Sequence, residues 1–96
     1  MNKETFDHVF KVVTNANYPV EINEYDEKAF GSWYITLKTA PKRRLVWDGK
    51  EQWLLVEEQT SETFNGMNKW KVIWVDRHPG KDSVQIGIKL LRGNLA

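Results

Sequence analysis

Two hydrophobic periods divide the chain, and the switch between them marks its elements. Phe6, Val9, Phe10 and Val13 recur at i, i+3, i+4 and i+7, while Lys3, Glu4, Asp7, His8 and Lys11 fill the remaining arc, which predicts an amphipathic helix. Asn2 is placed to cap it. The helix is expected to stop near Asn15 to Asn17, because Tyr18-Pro19 pushes the backbone towards an extended conformation and asparagine tolerates the left-handed geometry that ends helices.

Beyond Pro19 the period becomes two. Val20 and Ile22 alternate with Glu21, Asn23 and Tyr25 and lead into the charged turn Asp26-Glu27-Lys28. From Phe30 to Thr39, Trp33, Ile35 and Leu37 share one side of a strand against Ser32, Tyr34, Thr36 and Lys38. After a turn at Ala40-Pro41-Lys42, Arg43 to Trp47 and Gln52 to Gln59 read as a hairpin joined around Asp48-Gly49. A two-residue loop there mixes apolar with polar partners. A four-residue loop from Asp48 to Glu51 pairs Leu45 with Leu54 and Val46 with Trp53, so the longer loop is expected.

Thr60 to Lys69 is polar and reads as an exposed connection. Trp70, Val72 and Trp74 then alternate with Lys71, Ile73 and Val75, a strand that is apolar on both sides and therefore expected in the middle of a sheet. The last segment fits two patterns: Val84, Ile86, Ile88 and Leu90 at strand spacing, and Val84, Ile88, Leu91 and Leu95 at helical spacing. The break at His78-Pro79-Gly80, a cap from Asp82 or Ser83 and the stop at Gly93-Asn94 favour a helix. The sum is one two-layer α+β domain over residues 1–96: a helix, an antiparallel sheet of about five strands and a terminal helix.

Composition narrows the chemistry. The chain is 41% hydrophobic and 28% charged, which is globular rather than disordered, and its formal charge of +1 lacks the basic excess of a typical polyanion binder. There is no cysteine, hence no disulfide, thiolate metal site or cysteine nucleophile. The mixed-charge N-terminus leads into no apolar signal segment, and no run approaches the roughly 20 apolar residues of a membrane span. A cytoplasmic protein without membrane contact is the expectation.

His8 and His78 are the only histidines available as acid–base groups or nitrogen ligands, and neither has further ligands at metal-motif spacing. Ser32, Ser61 and Ser83 lack a nucleophile-elbow context, and Gly80-Lys81-Asp82-Ser83 lacks the upstream glycine of a phosphate loop. The carboxylates cluster linearly, as Glu21, Glu24, Asp26 and Glu27 and again as Glu57, Glu58 and Glu62, and read as solvated strand faces. No catalytic residue, metal or cofactor is implied.

Five tryptophans in 96 residues are the unusual count. Trp33 and Trp74 lie within apolar alternation and are expected in the core, while Trp47, Trp53 and Trp70 lie near strand ends, where an indole keeps one edge wet. Partly exposed tryptophan beside arginine is hot-spot chemistry, so Arg44, Trp47, Trp53 and Trp70 are the expected partner-binding residues of a non-enzymatic module that holds another protein. Small inhibitors and toxin-neutralising immunity proteins share this profile. Two alternatives stay open. Lys42, Arg43, Arg44, Lys69 and Lys71, interleaved with aromatic residues, would suit single-stranded nucleic acid; a small enzyme of unassigned class is the other.

Overall fold

A computed structural model describes residues 3–16 and 18–92. The elements run α1 (Lys3–Asn15), β1 (Val20–Asp26), a 3-10 turn at Glu27–Ala29, β2 (Ser32–Leu37), β3 (Arg43–Asp48), β4 (Trp53–Phe64), β5 (Met67–Asp76) and α2 (Lys81–Arg92). The five strands form an antiparallel meander in the order β1-β2-β3-β4-β5, and both helices pack on one face of it. This is the two-layer α+β architecture, and its short dimension of 20 Å is that of one helix layer on one sheet. The expected cap at Asn2, the stop residue Asn17, the stop at Gly93-Asn94 and Leu95 lie outside the described residues.

Cross-strand rows define the covered face. Tyr25, Trp33, Trp47 and Leu54 lie side by side in one row, and Asn23, Ile35, Leu45, Val56 and Trp74 in the next. Phe6, Val9 and Val13 from α1 and Ile88 and Leu91 from α2 close over these rows, and the Phe6 ring meets Trp33 edge-on at 5.6 Å. Gly87 lets α2 approach the sheet, since a Cβ there would stand 2.8 Å from Leu45 Cδ1.

Four local expectations are corrected. The β3–β4 loop does hold four residues, but they are 49 to 52, so Leu45 faces Val56 and Val46 faces Leu55. The Asp48 carboxylate accepts the amides of Lys50 and Glu51, and Gln52 takes the left-handed conformation at φ 62°, so the aspartate ends the strand rather than starting the loop. Residues 60–69 are not a loose connection. They are the end of a long β4–β5 hairpin, closed by Asn65-Gly66 with both residues at positive φ, as a tight two-residue turn requires.

β5, expected at the centre, is the last strand of the sheet. A register shift opposite Val56 and Glu57 inserts an extra residue in β5, so Ile73 and Trp74, adjacent in sequence, both pack against the core while Trp70 and Val72 take the other face. The apolar pattern on both sides of this strand therefore reflects a bulge and an apolar second face. Finally, α2 starts at Lys81, so neither Asp82 nor Ser83 is its N-cap. The Ser83 hydroxyl, three residues beyond Gly80, instead accepts the Gly80 amide at 2.9 Å.

Candidate functional site

Both helices lie on one side of the sheet, so the other side is open. An antiparallel sheet with one face in water ordinarily carries polar residues there. This one does not. Strand register aligns Tyr34, Val46, Leu55 and Val75 in a continuous row across β2 to β5, with Glu24 at its β1 end. The neighbouring row holds Thr36, Arg44, Glu57 and Val72, and Trp53 and Trp70 flank the two rows towards opposite ends of the sheet. Val72 is 51% exposed and Val75 37%, while Tyr34, Val46, Trp53, Leu55 and Trp70 are half-buried.

Arg44 organises this face. Its guanidinium carbon stands 4.1 Å from the Trp70 ring centre and 5.6 Å from that of Tyr34, and its Nε donates to Glu57 Oε1 at 2.7 Å. Each half-desolvated cation–aromatic contact contributes on the order of 1 kcal/mol, enough to hold three long side chains in one arrangement. The Tyr34 hydroxyl donates to Glu24 Oε2 at 2.8 Å. That hydrogen bond, and then burial, raise the Tyr34 phenol above its ordinary 10.0, so it stays a neutral donor at physiological pH. At the centre of the face Arg44 and Glu57 thus satisfy each other. Beside Tyr34 and Val46 lies a hollow of about 240 Å³, also lined by Ala29 and Ser32.

The expected site residues separate on this geometry. Arg44 and Trp70 come together on the open face, and Trp53 shares that face towards the other end of the sheet. Trp47 does not: two residues from Leu45 on β3, it shares that residue's helix-covered face and is only 5% exposed. Tyr34, Val46, Leu55, Val72 and Val75 were missed. Their signal was legible in consecutive apolar residues, Leu45-Val46, Leu54-Leu55 and Val72 to Val75, which at period two place apolar groups on both sides of a strand.

The cations of the nucleic-acid alternative are divided between the two sides of the sheet, and four of the five have a carboxylate partner. Lys42 pairs with Glu21 at 2.8 Å, Arg43 with Glu58 at 3.0 Å, Arg44 with Glu57 at 2.7 Å and Lys69 with Glu62 at 3.9 Å. Arg43 also donates to the Leu90 carbonyl in α2. Register puts Arg43 and Lys71 towards the helix side and Arg44 on the open side. Glu57, Glu58 and Glu62 of the second carboxylate cluster, and Glu21 alone of the first, are the other halves of these pairs. Asp76 accepts from the Ser83 hydroxyl and the His78 amide, and these two bonds, in that order, hold its carboxyl below the ordinary value of 3.8. His8 and His78 are both exposed. Among the described residues no group of three or more histidines and carboxylates is placed to hold a metal ion, and no helix is long and apolar enough to cross a membrane.

Comparison with family models, curated proteins and solved structures finds no match to this chain.

Proposed function

We propose that this protein is a non-enzymatic binding module that holds another protein against its open sheet face, in the manner of a small inhibitor or a toxin-neutralising immunity protein. One observation carries this reading: the Tyr34, Val46, Leu55 and Val75 row, with Val72 beside it, leaves apolar surface in water on a sheet side that needs no such residues for folding. The expected partner is a protein with an apolar patch of low charge, since the cation and carboxylate at the centre of the face already satisfy each other. Arg44 between two rings is the rigid anchor, of the residue types that dominate interface energies, and the 240 Å³ hollow is a place for one partner side chain.

The test compares two single charges, Val72→Glu on the open face and Ile86→Glu on the exposed side of α2, in cross-linking from the native cell. Both residues are solvent-exposed, so both variants are expected to melt within a few degrees of wild type. Loss of the cross-linked partner with Val72→Glu and its retention with Ile86→Glu is the expected result. Equal retention in both, or equal loss, overturns the assignment of the face.

A further inference from the structure

Another hollow lies elsewhere, at the end of the sheet where the β3–β4 loop meets the segment between β5 and α2. It measures about 620 Å³, and Trp47 and Trp53 line it together with Glu51, Arg77 and His78. We propose that it is a binding site for a ligand that joins a single carboxylate to a flat apolar body. This goes beyond the open face and does not require anything to be docked there.

Arg77 carries the inference. Continuing the β4–β5 register past Leu54 and Asp76 sets it beside Trp53, and its guanidinium stands 4.9 Å from that ring centre. Arg43 and Arg44 each hold a carboxylate within 3.0 Å. Arg77 has no ion-pair partner among the described residues. Its neighbour Asp76 is not one, because alternation turns that carboxylate to the helix side, where Ser83 and the His78 amide occupy it. An arginine held over an indole keeps its planar N–H fork for an incoming anion, and that fork matches a carboxylate in two parallel hydrogen bonds. The half-buried Trp53 indole gives the hollow an apolar edge against which a flat group can lie.

Glu51 sets the charge of the ligand. A carboxylate in the lining repels a second negative charge, so the site favours a monoanion over a phosphate or a dicarboxylate. Two sources fit: a free aromatic acid and the C-terminal carboxylate of a chain ending in an aromatic residue.

The probes are benzoate, N-acetyl-glycyl-phenylalanine with a free carboxylate, and the amide of each, titrated into the full chain while the indole N–H resonances are followed. Saturable shifts of the Trp53 indole are expected with at least one of the acids, with the matching amide at least about tenfold weaker, the effect of losing one charge-assisted pair. Tighter binding of the peptide acid assigns a chain terminus, and tighter binding of benzoate assigns a free acid. Arg77→Gln is expected to weaken the acid at least about tenfold, and Glu51→Gln to tighten it about two- to threefold by removing an exposed like charge. Val72→Glu leaves the titration unchanged, which separates this site from the open face. Acid and amide of equal affinity, or shifts that survive Arg77→Gln unaltered, overturn the proposal. If Arg77→Gln does not fold, the acid-to-amide ratio and the direction of the Glu51→Gln change decide.

Discussion

Trp47 lies between Trp33 and Leu54 in a row that α1 covers, with Tyr25 at the other end of the row beside the Phe6 ring. Its indole therefore acts first as packing. Truncation to alanine removes a large buried ring that the surrounding residues cannot refill, and the expected cost is about 3–5 kcal/mol, read as a lowered urea midpoint with unchanged slope. Trp70→Ala, on the open face, takes away one side of the Arg44 clamp and is expected to cost only about 1 kcal/mol in the same measurement. A Trp47→Ala protein as stable as wild type would mean the ring is not in the core. The contrast comes from strand faces: Trp47 shares the helix-covered face with Leu45, whereas the irregularity at Ile73 in β5 puts Trp70 and Val72 on the open one.

At the scale of elements, the junction of β5 and α2 is fastened by one polar cluster. Asp76, the last residue of β5, receives the Ser83 hydroxyl and the His78 amide, and Ser83 in turn accepts the Gly80 amide at the start of the helix. The native carboxyl of Asp76 titrates below its ordinary 3.8, so it binds fewer protons than in the unfolded chain between the two values. Its contribution is fully present above 3.8 and is lost as the pH falls through the lower, native value. Asp76→Asn is accordingly expected to reduce stability at neutral pH and to flatten the acid limb of the stability curve. Denaturant midpoints measured from about pH 5 down to about pH 2 check this: equal slopes for the two proteins would remove the junction from the account. The β4–β5 hairpin is the contrasting element. Its end is exposed throughout, and Phe64 and Met67 face each other beside the turn at 66% and 74% exposure, so it gains little from the core and is held by its turn and ladder.

For the molecule as a whole, 14 cations stand against 13 carboxylates, and among the described residues five of the cations are in ion pairs. Three of the four ion pairs that engage the basic clusters link residues far apart in sequence, as Lys42–Glu21, Arg43–Glu58 and Arg44–Glu57, so a local basic run becomes a set of neutral pairs on folding. Polyanion affinity rises with the number of phosphates neutralised, and cations already matched contribute little to it. The expected outcome of a gel shift with mixed single-stranded oligonucleotides at low salt is no retardation at about micromolar protein. Retardation that disappears with added salt would restore the nucleic-acid reading in place of the protein-binding one.

Pattern by itself determined α1, all of the strands but the extent of the last two, and the two-layer class, because amphipathic period is a property of neighbouring residues and needs no partner; α2 fitted both periods, and the break at His78-Pro79-Gly80 favoured the helix. It also held the second apolar face in plain view, as paired apolar residues in β3, β4 and β5. Tertiary structure alone decided the rest. Which strand forms the sheet edge, where the bulge at Ile73 redirects a side chain, which tryptophan is covered and which cations are matched all depend on residues brought together from distant parts of the chain. Period two assigns side chains to two sides, but a bulge or a one-residue shift of a loop changes which side is which, and only packing against the helices sets that choice.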